Sequence, residues 1–141
     1  MPLLNYSTTV PAHRTVSQIT EILAKAGAEQ ILTKYDNGRA VGVAFAIQAP
    51  HGLANYTLPV DVTAVHQVMR RDAQPRFRTP EQAERVAWRI MKDWIEAQLA
   101  IVACRMVSFD QVMLPYMATA SGQTVYEVYR DQQLALAAGE F

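Results

Sequence analysis

The sequence predicts an α+β fold in which helices pack on one face of a small antiparallel sheet. Two observations support this class. Runs rich in Val, Thr, Ile and Tyr lie in the first half of the chain, and strong helix-start signals follow in the second. The chain has 141 residues, of which 50% are hydrophobic, so it can bury a core as one domain. We expect a single domain, 1–141, with a sheet-containing half at 1–72 and a helical half at 79–141.

The first two elements are predicted to be a strand and a helix. The run 4–10 (LNYSTTV) has the composition of a strand and is bounded by Pro11. Thr15, followed three residues later by Gln18, resembles a capping box that begins a helix. Gly27 is suited to the left-handed residue that ends one.

A hairpin follows, and a third strand continues the sheet. Asn37-Gly38 supplies the two positive φ angles of a tight type I′ turn between 29–35 (EQILTKY) and 39–47 (RAVGVAFAI). Alternation places one set of apolar side chains on one face and small residues on the other. The first set is Val41, Val43, Phe45 and Ile47, and the second is Gly42, Ala44 and Ala46. Residues 53–60 (LANYTLPV) are predicted to pair next.

Two helices are predicted in the middle of the chain. Asp61 can cap a short helix over 62–71, and Thr79 with Pro80 begins a long one that runs to about Met106. Helical spacing gives the long helix an apolar stripe, formed by Ala83, Val86, Ala87, Ile90, Trp94, Ala97 and Ile101.

Trp88 lies outside that stripe, among charged residues, so either the sheet or another chain must cover it. Residues 97–104 (AQLAIVAC) carry no charge on any side, which is typical of a helix enclosed by its own domain or by a second subunit. We therefore expect a homo-oligomer whose interface contains Trp88, Ile95, Leu99 and Val102.

The C-terminal third is predicted to contain shorter elements. Ser108 and Gln111 form a capping box that leads into a turn interrupted by Pro115. Thr124 and Glu127 begin a last amphipathic segment, although its Val and Tyr residues are also compatible with a strand.

Charge is unevenly distributed although the net charge is zero. Thirteen Lys and Arg balance thirteen Asp and Glu, which argues against a polyelectrolyte of the histone kind. Between residues 66 and 92, however, seven basic residues face three acidic ones. Arginine suits phosphate through its planar donor fork, and an aromatic ring between arginines can stack on a base. The predicted nucleic-acid or phosphate site comprises Arg70, Arg71, Arg76, Phe77, Arg78, Arg85 and Arg89. The alternative is that many of these charges form ordinary surface ion pairs.

Catalytic and metal-binding patterns are poorly represented. The three histidines (His13, His51 and His66) are dispersed, and neither a metal-ligand spacing nor a Gly-rich phosphate loop can be fitted. Cys104, the single cysteine, lies on an uncharged helical stretch and is expected to be a buried structural thiol. We expect no catalytic residue, no metal and no cofactor, hence a protein that is not an enzyme. The absence of a predicted leader or membrane span, together with the lone cysteine, favours a cytoplasmic location.

Several segments are similar to one known family. The run 83–100, the tetrapeptide 113–116 (MLPY), residues 6–10 (YSTTV), Thr15-Val16 and residues 35–38 (YDNG) resemble a family of small uncharacterised α+β proteins carried by bacteriophages and integrated mobile elements. The resemblance covers nearly the whole chain. It implies tasks of the phage type inside a bacterial host cell, and it assigns no functional residue.

Three functions follow as hypotheses. The first is a non-enzymatic phage or mobile-element protein that binds nucleic acid through the arginine-rich region. The second is an anti-defence homo-oligomer that sequesters a small nucleotide signal or a host factor with the same arginines. The third is a structural assembly component. The salt dependence of binding separates the first two, because extended phosphate contacts give a steep slope and a single small anion a shallow one.

Overall fold

The computed structural model describes residues 2–132 and shows an α+β fold. Its elements in chain order are α1 (Ala12–Lys25), β1 (Gln30–Asp36), β2 (Arg39–Ala49), β3 (Gly52–Thr57), α2 (Val62–Asp72), a 3₁₀ turn (Pro75–Phe77), α3 (Pro80–Ala103), α4 (Phe109–Met113), a second 3₁₀ turn (Leu114–Tyr116) and α5 (Val125–Gln132). The sheet is antiparallel with strand order β1-β2-β3. The predicted fold class is therefore confirmed.

The predicted first strand, 4–10, is wrong. Residues 4–7 form turns, in which the Tyr6 amide donates to Leu3 O and the Thr8 amide to Asn5 O, with Asn5 at a φ of 63°. A composition rich in Tyr, Thr and Val predicted a strand, but no neighbouring strand pairs with these residues. Their main-chain groups bond locally and to α3 instead.

Helix α1 ends where predicted but begins earlier. It starts at Ala12 after Pro11, so Thr15 lies inside the helix rather than at its cap. At the other end Gly27 adopts a φ of +105°. Its amide donates to Ala24 O, and the amide of Ala28 donates to Leu23 O. These two bonds make a Schellman cap, which satisfies carbonyls that the helix leaves open.

The hairpin is confirmed, and it contains an irregularity that the sequence did not reveal. Asn37 and Gly38 have φ angles of 51° and 76°, as a type I′ turn requires. Lys34 pairs with Gly42 and Tyr35 with Ala40, which leaves Val41 as an extra residue in β2. This bulge reverses the alternation beyond it. Val41, predicted to share a face with Val43, Phe45 and Ile47, is 43% exposed, and Ala40 is buried in its place.

Helix α3 lies between two apolar clusters. On one side Trp88, Met91 and Ile95 pack with residues of α1 and of the core face of the sheet. On the other, Ala83 and Val86 pack with Met69 of α2 and with partly buried residues of the N-terminal segment. The predicted stripe is thus only partly right. It includes Ala83 and Val86, which pack with Met69 of α2, but it omits Trp88, Met91 and Ile95, which pack with α1 and the sheet. Of its other members, Trp94 and Ile101 are half-buried and Ala97 is exposed.

The remaining helix starts follow the sequence signals closely. Asp61 accepts from the amide of Ala64 at the start of α2, and Thr79 accepts from Gln82 at the start of α3. Ser108 with Gln111 and Thr124 with Glu127 both form reciprocal caps. For the segment that begins at Thr124, the sequence was compatible with either a helix or a strand. It is a helix, α5, as far as the described residues extend.

Replacing Gly38 tests the type I′ turn. Because a residue with a Cβ is strained at this φ, Gly38→Ala is expected to lower the free energy of unfolding by about 1 kcal/mol. Urea denaturation measures the change. Gly42→Ala is the matched control: its new Cβ meets only ordinary contacts with Lys34 at 3.9 Å, so it should leave stability unchanged or raise it. Equal losses in both variants would contradict the assignment of the turn.

Candidate nucleic-acid interface

Four of the predicted site residues lie on consecutive segments where α2 ends and the chain turns towards α3. Arg70 and Arg71 occupy the last turn of α2, Arg76 lies in the 3₁₀ turn, and Arg78 follows it. All four side chains are exposed. We call Arg70, Arg71, Arg76 and Arg78 the cationic cluster, and residues 73–79 the arginine turn.

Hydrogen bonds within the arginine turn, and one from α2, hold it in place. The Nε of Arg78 donates to Ala73 O at 2.7 Å. The Nε2 of His66 lies 2.9 Å from Arg78 O, and since a carbonyl oxygen only accepts, this nitrogen carries the hydrogen. The amide of Phe77 donates to Gln74 O. These hydrogen bonds hold the turn in one geometry.

The cationic cluster keeps an excess of positive charge. Arg71 forms two 3.0 Å hydrogen bonds with the carboxylate of Asp72, and these hold the pKa of Asp72 below its ordinary value. Among residues 2–132 no carboxylate lies within 4 Å of the guanidinium of Arg70, Arg76 or Arg78. Three arginines at this end of α2 therefore lack an acidic partner in the part of the chain described.

The ring of Phe77 makes contacts within the fold. The ring meets Tyr6 edge to face, with centroids 5.3 Å apart, and the guanidinium of Arg76 lies 4.6 Å from its centroid. Phe77 is also half-buried in the cluster around Met69. It anchors the arginine turn, and its predicted role in stacking on a base stays a prediction.

Arg85 and Arg89 are separated from the cationic cluster by their contacts. The Nη1 of Arg89 donates to Gln18 Oε1 at 2.7 Å and to Thr15 Oγ1 at 3.3 Å, which ties α3 to α1. Arg85 donates to Gln82 Oε1 and lines a different cavity. Both side chains are half-buried and bond within the fold, and their place in the binding site stays a prediction.

That cavity, of about 350 Å³, is a feature that the sequence did not indicate. It lies between the N-terminus of α1, the hairpin and the start of α3. Arg39 borders it and pairs with Glu81 at 2.8 Å and with Glu84 at 3.8 Å. Two guanidiniums, those of Arg39 and Arg85, thus lie in the cavity with two carboxylates. This balance of charge does not favour the binding of a phosphate. Arg39 follows the hairpin turn directly, and only the tertiary fold brings it to α3.

The predicted oligomer interface is corrected at two positions. Trp88 and Ile95 are completely buried within the chain. The indole nitrogen of Trp88 donates to Ala40 O at 3.1 Å, so the sheet is what covers it. Leu99 and Val102 are half-buried, and for them the interface stays a prediction.

The uncharged stretch 97–104 is not enclosed by the described part of the chain. Ala97, Ala100 and Ala103 are exposed, and so is Cys104, which was expected to be buried. Cys104 caps the C-terminus of α3, just before Arg105 turns the chain away with a φ of 60°.

Tyr56 is the most deeply buried titratable side chain near the sheet. Its ring stacks on Phe45 at 5.4 Å and meets Phe109 at 5.2 Å. Its hydroxyl has no hydrogen-bond partner among residues 2–132. Burial, together with the carboxylate of Asp110, raises the pKa of this hydroxyl, so Tyr56 stays neutral in the physiological range.

Comparison of the chain with known protein families, with curated proteins and with solved structures finds no match. Between residues 2 and 132, no helix combines the length and the apolar character that a bilayer crossing needs. In the same range, no three His, Cys, Asp or Glu side chains are grouped as metal ligands.

Replacing Arg89 separates a structural from a binding role. Arg89→Met keeps the aliphatic packing but removes the bonds to Thr15 and Gln18, so the free energy of unfolding should fall by about 1 to 3 kcal/mol. Urea denaturation measures this loss, and fluorescence anisotropy with a labelled oligonucleotide should show unchanged affinity. A loss of affinity in a variant that remains folded would return Arg89 to the binding site.

Stability should depend on Glu81 at acid pH. Two hydrogen bonds hold the pKa of Glu81 below its ordinary value of 4.5. The larger effect comes from the bond with the backbone of Glu81 itself, and the smaller from the bond with Arg39. A depressed pKa gives stability that is complete above the ordinary value and disappears as the pH falls through the folded-state value. The urea midpoint of Glu81→Gln should therefore fall less than that of the wild type between about pH 5 and pH 3. Glu21→Gln, at an exposed position on α1, is the control and should follow the wild type.

Proposed function

We propose that the protein binds nucleic acid without sequence preference, through contacts of the cationic cluster with the phosphate backbone. The observation that carries this proposal is the group of three exposed arginines, Arg70, Arg76 and Arg78, with no acidic partner among the described residues. A guanidinium offers paired donors that match the oxygens of a phosphate.

A purely structural explanation accounts for only part of the cluster. Cations in the last turn of a helix interact favourably with its dipole, which explains Arg70 and Arg71. Arg76 and Arg78 lie beyond the end of α2. Arg78 uses only its Nε within the described chain, so its terminal nitrogens can meet a phosphate oxygen.

The arrangement favours nucleic acid over a sequestered small nucleotide. Sequestration needs an enclosed site with excess positive charge, and the cavity beside Arg39 and Arg85 contains Glu81 and Glu84 as well. The cationic cluster instead lies on an exposed helix end, where an extended polyanion can reach several arginines. The phage-type role implied by the resemblance stays a prediction.

Titration of a fluorescently labelled single-stranded DNA at increasing salt tests the proposal. Three or four phosphate contacts predict a slope of log K against log salt between roughly −2 and −3. The double variant Arg70→Gln/Arg76→Gln should weaken binding at low salt by about tenfold or more and reduce the magnitude of the slope by about 1.4.

The matched control removes the same number of positive charges from α1. Arg14 and Lys25 are both exposed there, so Arg14→Gln/Lys25→Gln should retain the wild-type affinity and slope. Three outcomes would overturn the proposal: no binding at low salt, binding that is indifferent to salt, or equal losses in the two double variants.

A further inference from the structure

The two edges of the sheet differ in how their backbone groups are satisfied. At the β3 edge, Met117 forms an antiparallel bridge with Tyr56, and the amide of Ala118 donates to Asn55 O at 2.8 Å. At the β1 edge, no strand or backbone donor from residues 2–132 bonds to the outer side. Within residues 2–132, the sheet thus has one covered edge and one open edge.

The pairing pattern identifies the groups that point out of the open edge. Val43 O accepts from the amide of Leu58, so the main-chain groups of Val43 face β3 and those of Ala44 face β1. Ala44 pairs with Leu32, whose own groups therefore face β2. By alternation, the amides and carbonyls of Ile31, Thr33 and Tyr35 face outwards.

Two large hydrophobic side chains of β1 are exposed to solvent. Leu32 is 59% exposed and Tyr35 is 65% exposed. The strand contains no proline, a residue that proteins use to prevent pairing at an edge. An open edge with apolar side chains is a template for another strand.

We propose that this edge binds a second copy of the chain, with β1 antiparallel to β1 and the two-fold axis at Thr33. This register places the outward groups of Ile31 opposite those of Tyr35 in the second copy, and the groups of Thr33 opposite each other. All outward amides and carbonyls of the three residues then pair. The product is a continuous sheet of six strands.

Charge and shape are compatible with this register. Lys34 lies opposite Leu32 of the second copy, and Asp36 lies opposite Gln30, so no like charges meet directly. The ring of Tyr35 lies beside Ile31 of the second copy, on the face that is half-buried in one chain. A strand that is complementary to itself gives a closed two-fold dimer rather than a fibre.

Light scattering and sedimentation over a wide concentration range test the proposal on the full chain. The wild type should show twice the mass of one chain. Leu32→Lys places a lysine opposite Lys34 twice in the dimer and should raise its dissociation constant by about tenfold or more. Leu53→Lys is the control, since Leu53 is 46% exposed on the β3 edge and should leave the dimer intact. Circular dichroism checks that both variants fold.

Cross-linking tests the register itself. Directly opposed residues of a hydrogen-bonded pair have Cα atoms about 5.5 Å apart, within the range of a disulfide. In a Cys104→Ala background, Thr33→Cys should therefore cross-link two chains on mild oxidation, and Thr57→Cys on β3 should not. A monomeric wild type, equal weakening by the two lysine variants, or equal cross-linking at the two positions would overturn the proposal.

Discussion

Helix α3 has to pack against two apolar clusters at once, and the rest of the structure depends on this constraint. Trp88 meets the sheet and α1, while Val86 meets α2 and the N-terminal segment. The polar residues between these surfaces bond to the elements that surround α3. Arg89 reaches Gln18 of α1, and the side-chain Nε2 of Gln82 donates to Tyr6 O and Thr8 O. One helix thereby contacts α1, α2 and the N-terminal segment at the same time.

Local signals predicted the local structure well. Caps such as Asp61 and Thr79, and the Asn37-Gly38 turn, depend on the backbone geometry of a few adjacent residues, which their side chains determine. The errors occur where distant residues decide. Residues 4–10 have a strand composition but no strand to pair with, and the bulge at Val41 depends on how β1 and β2 align.

The candidate site shows the same difference between what adjacent residues determine and what distant residues determine. Sequence proximity grouped Arg85 and Arg89 with the arginines of α2, but their partners lie on α1 or within α3 itself. Thr15 and Gln18 had the spacing of a capping box. In the structure they accept the hydrogen bonds of Arg89, a role that no local pattern indicates. A helix with one apolar stripe placed Trp88 on its charged side. The burial of Trp88 is explained because α3 has two buried sides rather than one.

The contact between Tyr6 and Phe77 has a consequence for the order of folding. The arginine turn is anchored on residues near the start of the chain, and Gln82 bonds to the carbonyls of Tyr6 and Thr8 across 76 and 74 residues. Contacts so distant in sequence require a large loop to close, and such closures are slow. The hairpin and the capped helices can form before then from neighbouring residues alone. The surface that holds the cationic cluster is therefore expected to reach its final form late, after most of the molecule has assembled.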